Sequence, residues 1–423
     1  MICASALLGC SAEHGAPAIV DPTPVPPVTA ATPPLQVATV QITTTNSAPI
    51  TTTETYVPGA FAILGVKGDT INSGTLEIKG RGTSTWTMPK KPYKLKLTSS
   101  TAIVGMPANK HWVLLANYSD KTLLRNEIAF ELSRQLGFAW TPRSQIVSVK
   151  LNGTYQGVYE LVEHVRIAPE RVNIPSLKIT DTSAANISGG YLLEVDERSS
   201  EAFCFRSTAT PMTFCLNDPE TLNDAGWEKQ RAYIKRYIAQ TDSAIFGANF
   251  KDAQLGYAAY IDVETAVNYY LLQEIFRNVD GNLRLSTFLY KQRGGKLAFG
   301  PVWDFDIAMG NVNYGDADKT AGWYIRTAPW FRRMFEDPAF AARVKARWLE
   351  LRQRGTLDAL VNMVFSSGDA MMTVQAENFN RWPILNTYVW PNRVVTGSYV
   401  GELLALKNWL SDRIVWMGAQ FAQ

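Results

Sequence analysis

The chain has 423 residues, 46% hydrophobic and 19% charged, enough for a substantial core and two lobes or domains. Its net charge of +3 gives no bulk electrostatic case for binding nucleic acid or a membrane surface. No apolar run reaches the roughly 18 residues of a membrane span, so no transmembrane helix is expected.

The N-terminus reads Met1-Ile2-Cys3-Ala4-Ser5-Ala6-Leu7-Leu8-Gly9-Cys10. Small and apolar residues leading into Leu7-Leu8-Gly9-Cys10 have the form of a bacterial lipoprotein signal, with Cys10 as the lipid-bearing residue, although the basic leading segment is absent. Residues 11–36 are rich in Pro, Ala and Thr and predict an extended tether. An anchor followed by a tether would hold a domain away from a bacterial membrane, on its periplasmic face or at the cell surface, with membrane contact only through the lipid.

From Leu35 to Leu97 the pattern is mainly strand. Val37–Ile42, Thr75–Lys79 and Tyr93–Leu97 all alternate with a period of two. Between the last two lies Gly80-Arg81-Gly82-Thr83-Ser84-Thr85-Trp86, whose glycines and hydroxyls can bring backbone N–H groups close to phosphate oxygens. A helix follows, with Leu124, Ile128, Leu132 and Leu136 on one face. Asp120 or Thr122 would cap it and Gly137 would end it. Asn152-Gly153 between two alternating runs predicts a hairpin.

Cys204 and Cys215 flank a second hairpin and can form a disulfide in an oxidising compartment. Asp262 would cap a helix running nearly to Asp280. Ser286–Tyr290, a turn at Arg293-Gly294-Gly295, and Lys296–Phe299 then read as strand, turn and strand. This hairpin carries Asp280 before it and Trp303-Asp304-Phe305-Asp306 after it. Acids at one end of a hairpin can hold a divalent metal and a polyphosphate; solvated turn acids are the alternative. Helical spacing returns at Phe340, Val344 and Trp348, and at Leu403, Leu406, Leu410 and Ile414. Of three His, His111 and His164 lack zinc-ligand neighbours and read as structural.

Taken together, several motifs resemble the CotH kinase family, over about residues 35 to 420. They are Gly80–Trp86 with Lys90-Lys91-Pro92-Tyr93-Lys94-Leu95-Lys96-Leu97; Ala116-Asn117-Tyr118-Ser119-Asp120-Lys121 with Leu124-Arg125-Asn126; Asn152-Gly153 through Gly157-Val158-Tyr159 to Glu163; Gly189-Gly190-Tyr191-Leu192-Leu193-Glu194; and Asn278-Val279-Asp280 leading to Trp303-Asp304-Phe305-Asp306. The resemblance implies an α+β, atypical protein-kinase-like two-lobed fold, with a β-rich N-lobe at 37–168 and a helical C-lobe at 169–423. It also implies ATP and Mg²⁺, and phosphate transfer to a secreted or surface protein whose identity the sequence leaves open.

By the same resemblance, Asp280 is the acid that orients the acceptor, Asp304 binds metal, and Asp306 is a second ligand. Lys96 would reach the phosphates, with Lys94 on the same strand face as the other choice. Arg81 and Ser84 would line the phosphates, and Glu163 would mark the nucleotide hinge. Arg125 and Asn126 fit the family on the helix, where Glu127 or Glu131 could pair with the lysine. Ordinary kinases carry a metal-binding Asn five residues past the catalytic Asp. Here that position is Leu285, and Asn282 or Ser286 would have to substitute. AMP transfer or glutamylation on the same fold, and a non-catalytic module presenting exposed aromatics to a glycan or protein, are the alternative functions.

Overall fold

The computed structural model describes residues 35–198 and 203–423. Cys10, the signal-like segment and nearly all of the tether lie outside them. The N-terminal part contains β1 (Ala38–Thr44), β2 (Val57–Leu64), β3 (Thr70–Gly80), the one-turn helix α1 (Ser84–Thr87), β4 (Tyr93–Ile103), β5 (Met106–Leu115), α2 (Arg125–Leu136), β6 (Ser144–Leu151) and β7 (Thr154–Glu163). Its strands form a closed barrel in the order β1-β2-β3-β4-β5-β7-β6. Parallel pairing of β1 with β6, from Ala38↔Val147 to Ile42↔Leu151, closes it.

Period-two alternation explains the barrel core. Val40, Ile42, Ile78, Leu95, Trp112, Leu114, Tyr159 and Leu161 point inward and are buried together. On β5 and β7 the opposite face is buried too, because Val113, Val158 and Val162 pack with Ile128 and Leu132 of α2 in the main core. Asn152 (φ 49°) and Gly153 (φ 79°) both take the left-handed conformation that a two-residue hairpin turn between β6 and β7 requires.

Neither Asp120 nor Thr122 occupies the cap position of α2, which is Leu124; Asp120 supports the first turn from farther back, its Oδ2 accepting from the Arg125 backbone N–H at 3.0 Å. Thr122 supports it one residue earlier, accepting from Leu124 N–H at 3.3 Å. The segment Gly80–Trp86, read from sequence as a loop, instead includes the single turn of α1.

The C-terminal part contains β8 (Tyr191–Val195), β9 (Phe203–Arg206), β10 (Thr213–Asp218), α3 (Glu228–Phe246), α4 (Val263–Phe276), β11 (Thr287–Lys291) and β12 (Leu297–Phe299). The helices α5 (Pro329–Met334), α6 (Pro338–Gln353), α7 (Thr356–Ala370), α8 (Met372–Arg381) and α9 (Tyr399–Ala422) complete it. The region is helical in bulk, but it also holds a five-stranded sheet in the order β12-β11-β8-β10-β9. Asp262 caps α4 as its sequence position predicts, accepting from the N–H groups of Glu264 and Thr265. Cys204 and Cys215 face each other across β9 and β10 and are joined by a disulfide. The whole is an α+β architecture, strand-rich first and helical afterwards, consistent with a two-lobed shape. No helix among the described residues is long and apolar enough to cross a membrane.

Candidate active site

A cleft of about 320 Å³ opens beside the turn that follows β3. Arg81, Ser84, Asn126, Asp280, Asp304 and Asp306 all line it. A second cavity, of about 340 Å³, shares Arg81, Gly82, Thr83, Arg198 and Asp304 with the cleft and extends past Lys94, Glu194 and Phe288. Arg81 and Asp304 therefore stand in a wall common to both.

Each acid is placed by a different local feature. Asp280 lies in the turn between α4 and β11; its N–H donates to Asn278 Oδ1 at 3.3 Å and its carbonyl accepts from Leu285 N–H at 3.1 Å. Asp304 follows β12 and adopts φ 68°, a left-handed conformation that Asp tolerates better than most side chains. Its carboxylate accepts from Ser286 Oγ at 3.1 Å, and its carbonyl accepts from Asn278 Nδ2 at 3.1 Å. Asp306 accepts from Ser119 Oγ at 3.3 Å. Asn126, on the first turn of α2, accepts the Phe305 N–H at 2.9 Å. Arg125 beside it forms a buried ion pair with Asp120 and donates to the Ala308 carbonyl at 3.1 Å.

The electrostatics follow from gathering carboxylates in a partly dry site. Burial, reinforced by Asp304, pushes Asp280 up to about 6. Burial raises Asp306 well above the usual carboxylate range, with Asp304, Asp120 and Asp280 adding to it. The Arg81 guanidinium lies over the Trp303 ring, 5.5 Å from its centroid. Burial lowers its pKa, against the opposing pull of Asp304, Glu194 and Asp306. A cluster that resists carrying several negative charges at once is suited to a cation.

Among the described residues no three His, Cys, Asp or Glu side chains form a ready metal cage. Mg²⁺ does not need one: it keeps several waters and takes one or two carboxylates together with substrate phosphates. Asp304 and Asp306, with the Ser286 hydroxyl against Asp304, fit that donor set. Asn282 does not line the cleft; its amide nitrogen lies 3.5 Å from the Tyr324 hydroxyl.

The other sequence-predicted residues divide clearly. Lys96 is exposed on β4, 3.0 Å from Glu77 of β3, and lines neither cavity. Lys94 lines the second cavity. Glu163 is buried beneath Arg143, at 3.1 Å, and Arg171, at 3.8 Å, and lines neither. Glu131 turns to Arg134 and Gln135. Glu127 faces a separate cavity with Glu160, and burial followed by Glu160 raises it to about 7.

Sequence reasoning assigned no role to Lys90, Asn117, Ser119, Glu160, Glu194 or Arg198. Lys90 is buried, donating to the Val158 carbonyl and to Asn378 Oδ1. Five of the six sit inside motifs already singled out, which was the available signal; nothing in the local pattern marked Arg198.

A family model described as CotH kinase protein matches residues 77–417. The chain belongs to the CotH kinase protein family. The stretch matched to the CotH model contains Arg81, Asn126, Asp280, Asp304 and Asp306, so the cleft lies wholly within the family region. Membership implies kinase-like catalysis and points to an extracytoplasmic role. Comparison with curated proteins gives no match.

Proposed function

We propose that this protein is an extracytoplasmic, ATP-dependent protein kinase with an atypical two-lobed kinase fold, the lobes spanning 37–168 and 169–423. The carrying observation is the convergence of Asp280 and Asp304, which flank the open end of the antiparallel β11–β12 hairpin, beneath the turn holding Arg81 and Ser84. On this reading residues 1–10 are an export signal remnant, Cys10 carries a lipid, and 11–36 form the tether.

In the reaction the acceptor hydroxyl oxygen attacks the γ-phosphorus of ATP. A new P–O bond forms as the bond to the β-phosphate bridging oxygen breaks, and ADP leaves. Asp280 orients the hydroxyl and receives its proton, which requires the ionised form. Arg81 and the turn through Ser84 hold phosphate oxygens on the wall shared by the two cavities. Lys94 adds positive charge from the second cavity. Asp304 and Asp306 would hold Mg²⁺, which neutralises phosphate charge during transfer. The protein's contribution is alignment and electrostatic compensation.

The test is transfer of labelled γ-phosphate to a mixed pool of secreted proteins, with intact mass measured on the modified acceptor. Asp280→Ala and Asp304→Ala should each abolish transfer. Undiminished transfer by Asp304→Ala would sink the assignment, and an added AMP or glutamate would replace phosphate transfer by the alternative chemistry.

A further inference from the structure

One peptide unit in the cleft is gripped at both ends. The Asp304 carbonyl accepts from Asn278 Nδ2 at 3.1 Å, and the N–H of the same peptide, on Phe305, donates to Asn126 Oδ1 at 2.9 Å. This peptide follows the left-handed Asp304 and precedes Asp306, so its orientation sets the directions of both carboxylates. A left-handed Asp is less favourable than ordinary backbone, and the surrounding contacts must offset that cost.

Asn126 can accept from Phe305 only if its amide is turned one way. An amide side chain has a donor end and an acceptor end, and partners at the donor end decide which faces where. That partner is Glu160, on the face of β7 packed against α2, with only 2% of its surface exposed. Its Oε2 accepts from Asn126 Nδ2 at 3.1 Å and from Asn117 Nδ2 at 3.0 Å, while Asn126 Nδ2 makes only a longer contact, 3.5 Å, to Asn117 Oδ1. Glu160 does not itself line the cleft, though both asparagines do. Yet the sequence of contacts Glu160–Asn126–Phe305 runs unbroken from the barrel wall to the backbone between the two acids. Asn278 extends it to Asp280, whose N–H it accepts at 3.3 Å.

We propose that Glu160 is a positioning residue for phosphotransfer: it locks the Asn126 amide so that the Asp304–Phe305 peptide, and with it Asp304 and Asp306, is held in the geometry for one shared cation. The proposal rests on the kinase reading for its functional consequence, but its structural claim is separable. Glu160→Ala removes the acceptor and leaves two buried amides without it. Glu160→Gln keeps a carbonyl oxygen for them, so the amide lock survives the substitution.

The experiment measures two things on the full-length protein: hydrogen exchange at the Phe305 amide, and steady-state transfer from Mg²⁺–ATP. Glu160→Ala should speed exchange at Phe305 about tenfold or more and raise the KM for Mg²⁺–ATP by a similar factor, as loss of a buried hydrogen-bond acceptor implies. Glu160→Gln should recover both to within about threefold, again on the scale of a neutral replacement bond. Equal losses in Ala and Gln, or unchanged Phe305 protection in Ala, would overturn the proposal.

If the Ala variant does not fold, a swap decides. Asn126→Asp sets two carboxylates against each other and should lose Phe305 protection; adding Glu160→Gln supplies an amide donor and should restore it. Failure of the double variant to restore protection counts against the lock. If the unaltered protein neither binds nor uses Mg²⁺–ATP, the kinase reading falls, while the exchange data still decide whether Glu160 holds Asn126.

Discussion

Ser286 donates its hydroxyl hydrogen to the Asp304 carboxylate at 3.1 Å. Ser286 lies one residue beyond the position where ordinary kinases carry a metal-binding Asn, and Leu285 occupies that position. The left-handed turn of Ser286 (φ 49°) brings its side chain to the acid. Asn282, the other substitute considered from sequence, turns to Tyr324. Ser286→Ala should therefore raise the Mg²⁺ concentration for half-maximal transfer by about tenfold, the scale of one hydrogen bond to a charged group. Asn282→Ala should change it by less than about threefold, on the same scale. Metal titration of transfer rates checks the pair; a larger effect at Asn282 would reverse the assignment.

Arg81 and Lys96 give a second contrast. Lys96 makes an exposed ion pair with Glu77, a contact worth roughly 0–1 kcal/mol. Lys96→Ala should leave the KM for ATP within about twofold. Arg81 lies in the wall shared by the two cavities and faces Asp304. Arg81→Ala should raise that KM by about tenfold or more, as loss of a charge-assisted phosphate contact implies. Calorimetric titration with Mg²⁺–ATP provides an independent check, and a Lys96 variant that fails to bind nucleotide would restore the strand lysine to the site.

Glu127 predicts a pH dependence of stability. Burial and Glu160 raise its carboxyl from 4.5 to about 7 in the folded chain. The folded state thus binds the proton more tightly than the unfolded state does. This contribution to stability is complete below about pH 4.5 and is lost as pH rises to about 7. Glu127→Gln removes the titration. Urea unfolding at the two ends of this window should show the unaltered protein losing on the order of 1–3 kcal/mol more than the Gln variant, after discounting for partial exposure. Parallel pH profiles would contradict the shift.

The disulfide predicts a stability difference confined to oxidising conditions. Cys204 and Cys215 close a loop with a sequence separation of 11 and cross-link the hairpin at one side of the second sheet. Replacing both by Ser should destabilise the protein by up to about 3 kcal/mol on loop-entropy grounds. Adding a thiol reductant should bring the unaltered protein to the same unfolding midpoint and leave the variant unmoved. A variant as stable as the oxidised protein would show that the bond adds no net constraint.

Local physics made much of this protein readable in one dimension. Alternation marked the strands, Asn152-Gly153 the hairpin turn, Asp262 the start of α4, and the acids at 280 and 304 the ends of the β11–β12 hairpin. These features depend on residues close in sequence, so their patterns carry the information. Barrel closure does not: β1 meets β6 more than 100 residues away, and parallel register depends on the assembled sheet. Alternation also places Lys94 and Lys96 on one strand face without saying what that face meets. Only the folded barrel turns Lys96 to Glu77 and Lys94 to a cavity wall. Glu160 is the sharpest case. A Glu between Val158 and Val162 on an alternating strand reads as solvent-facing until α2 packs over it. Water is then excluded, two asparagine amides take its place, and a strand residue distant from the acids comes to hold the peptide between them.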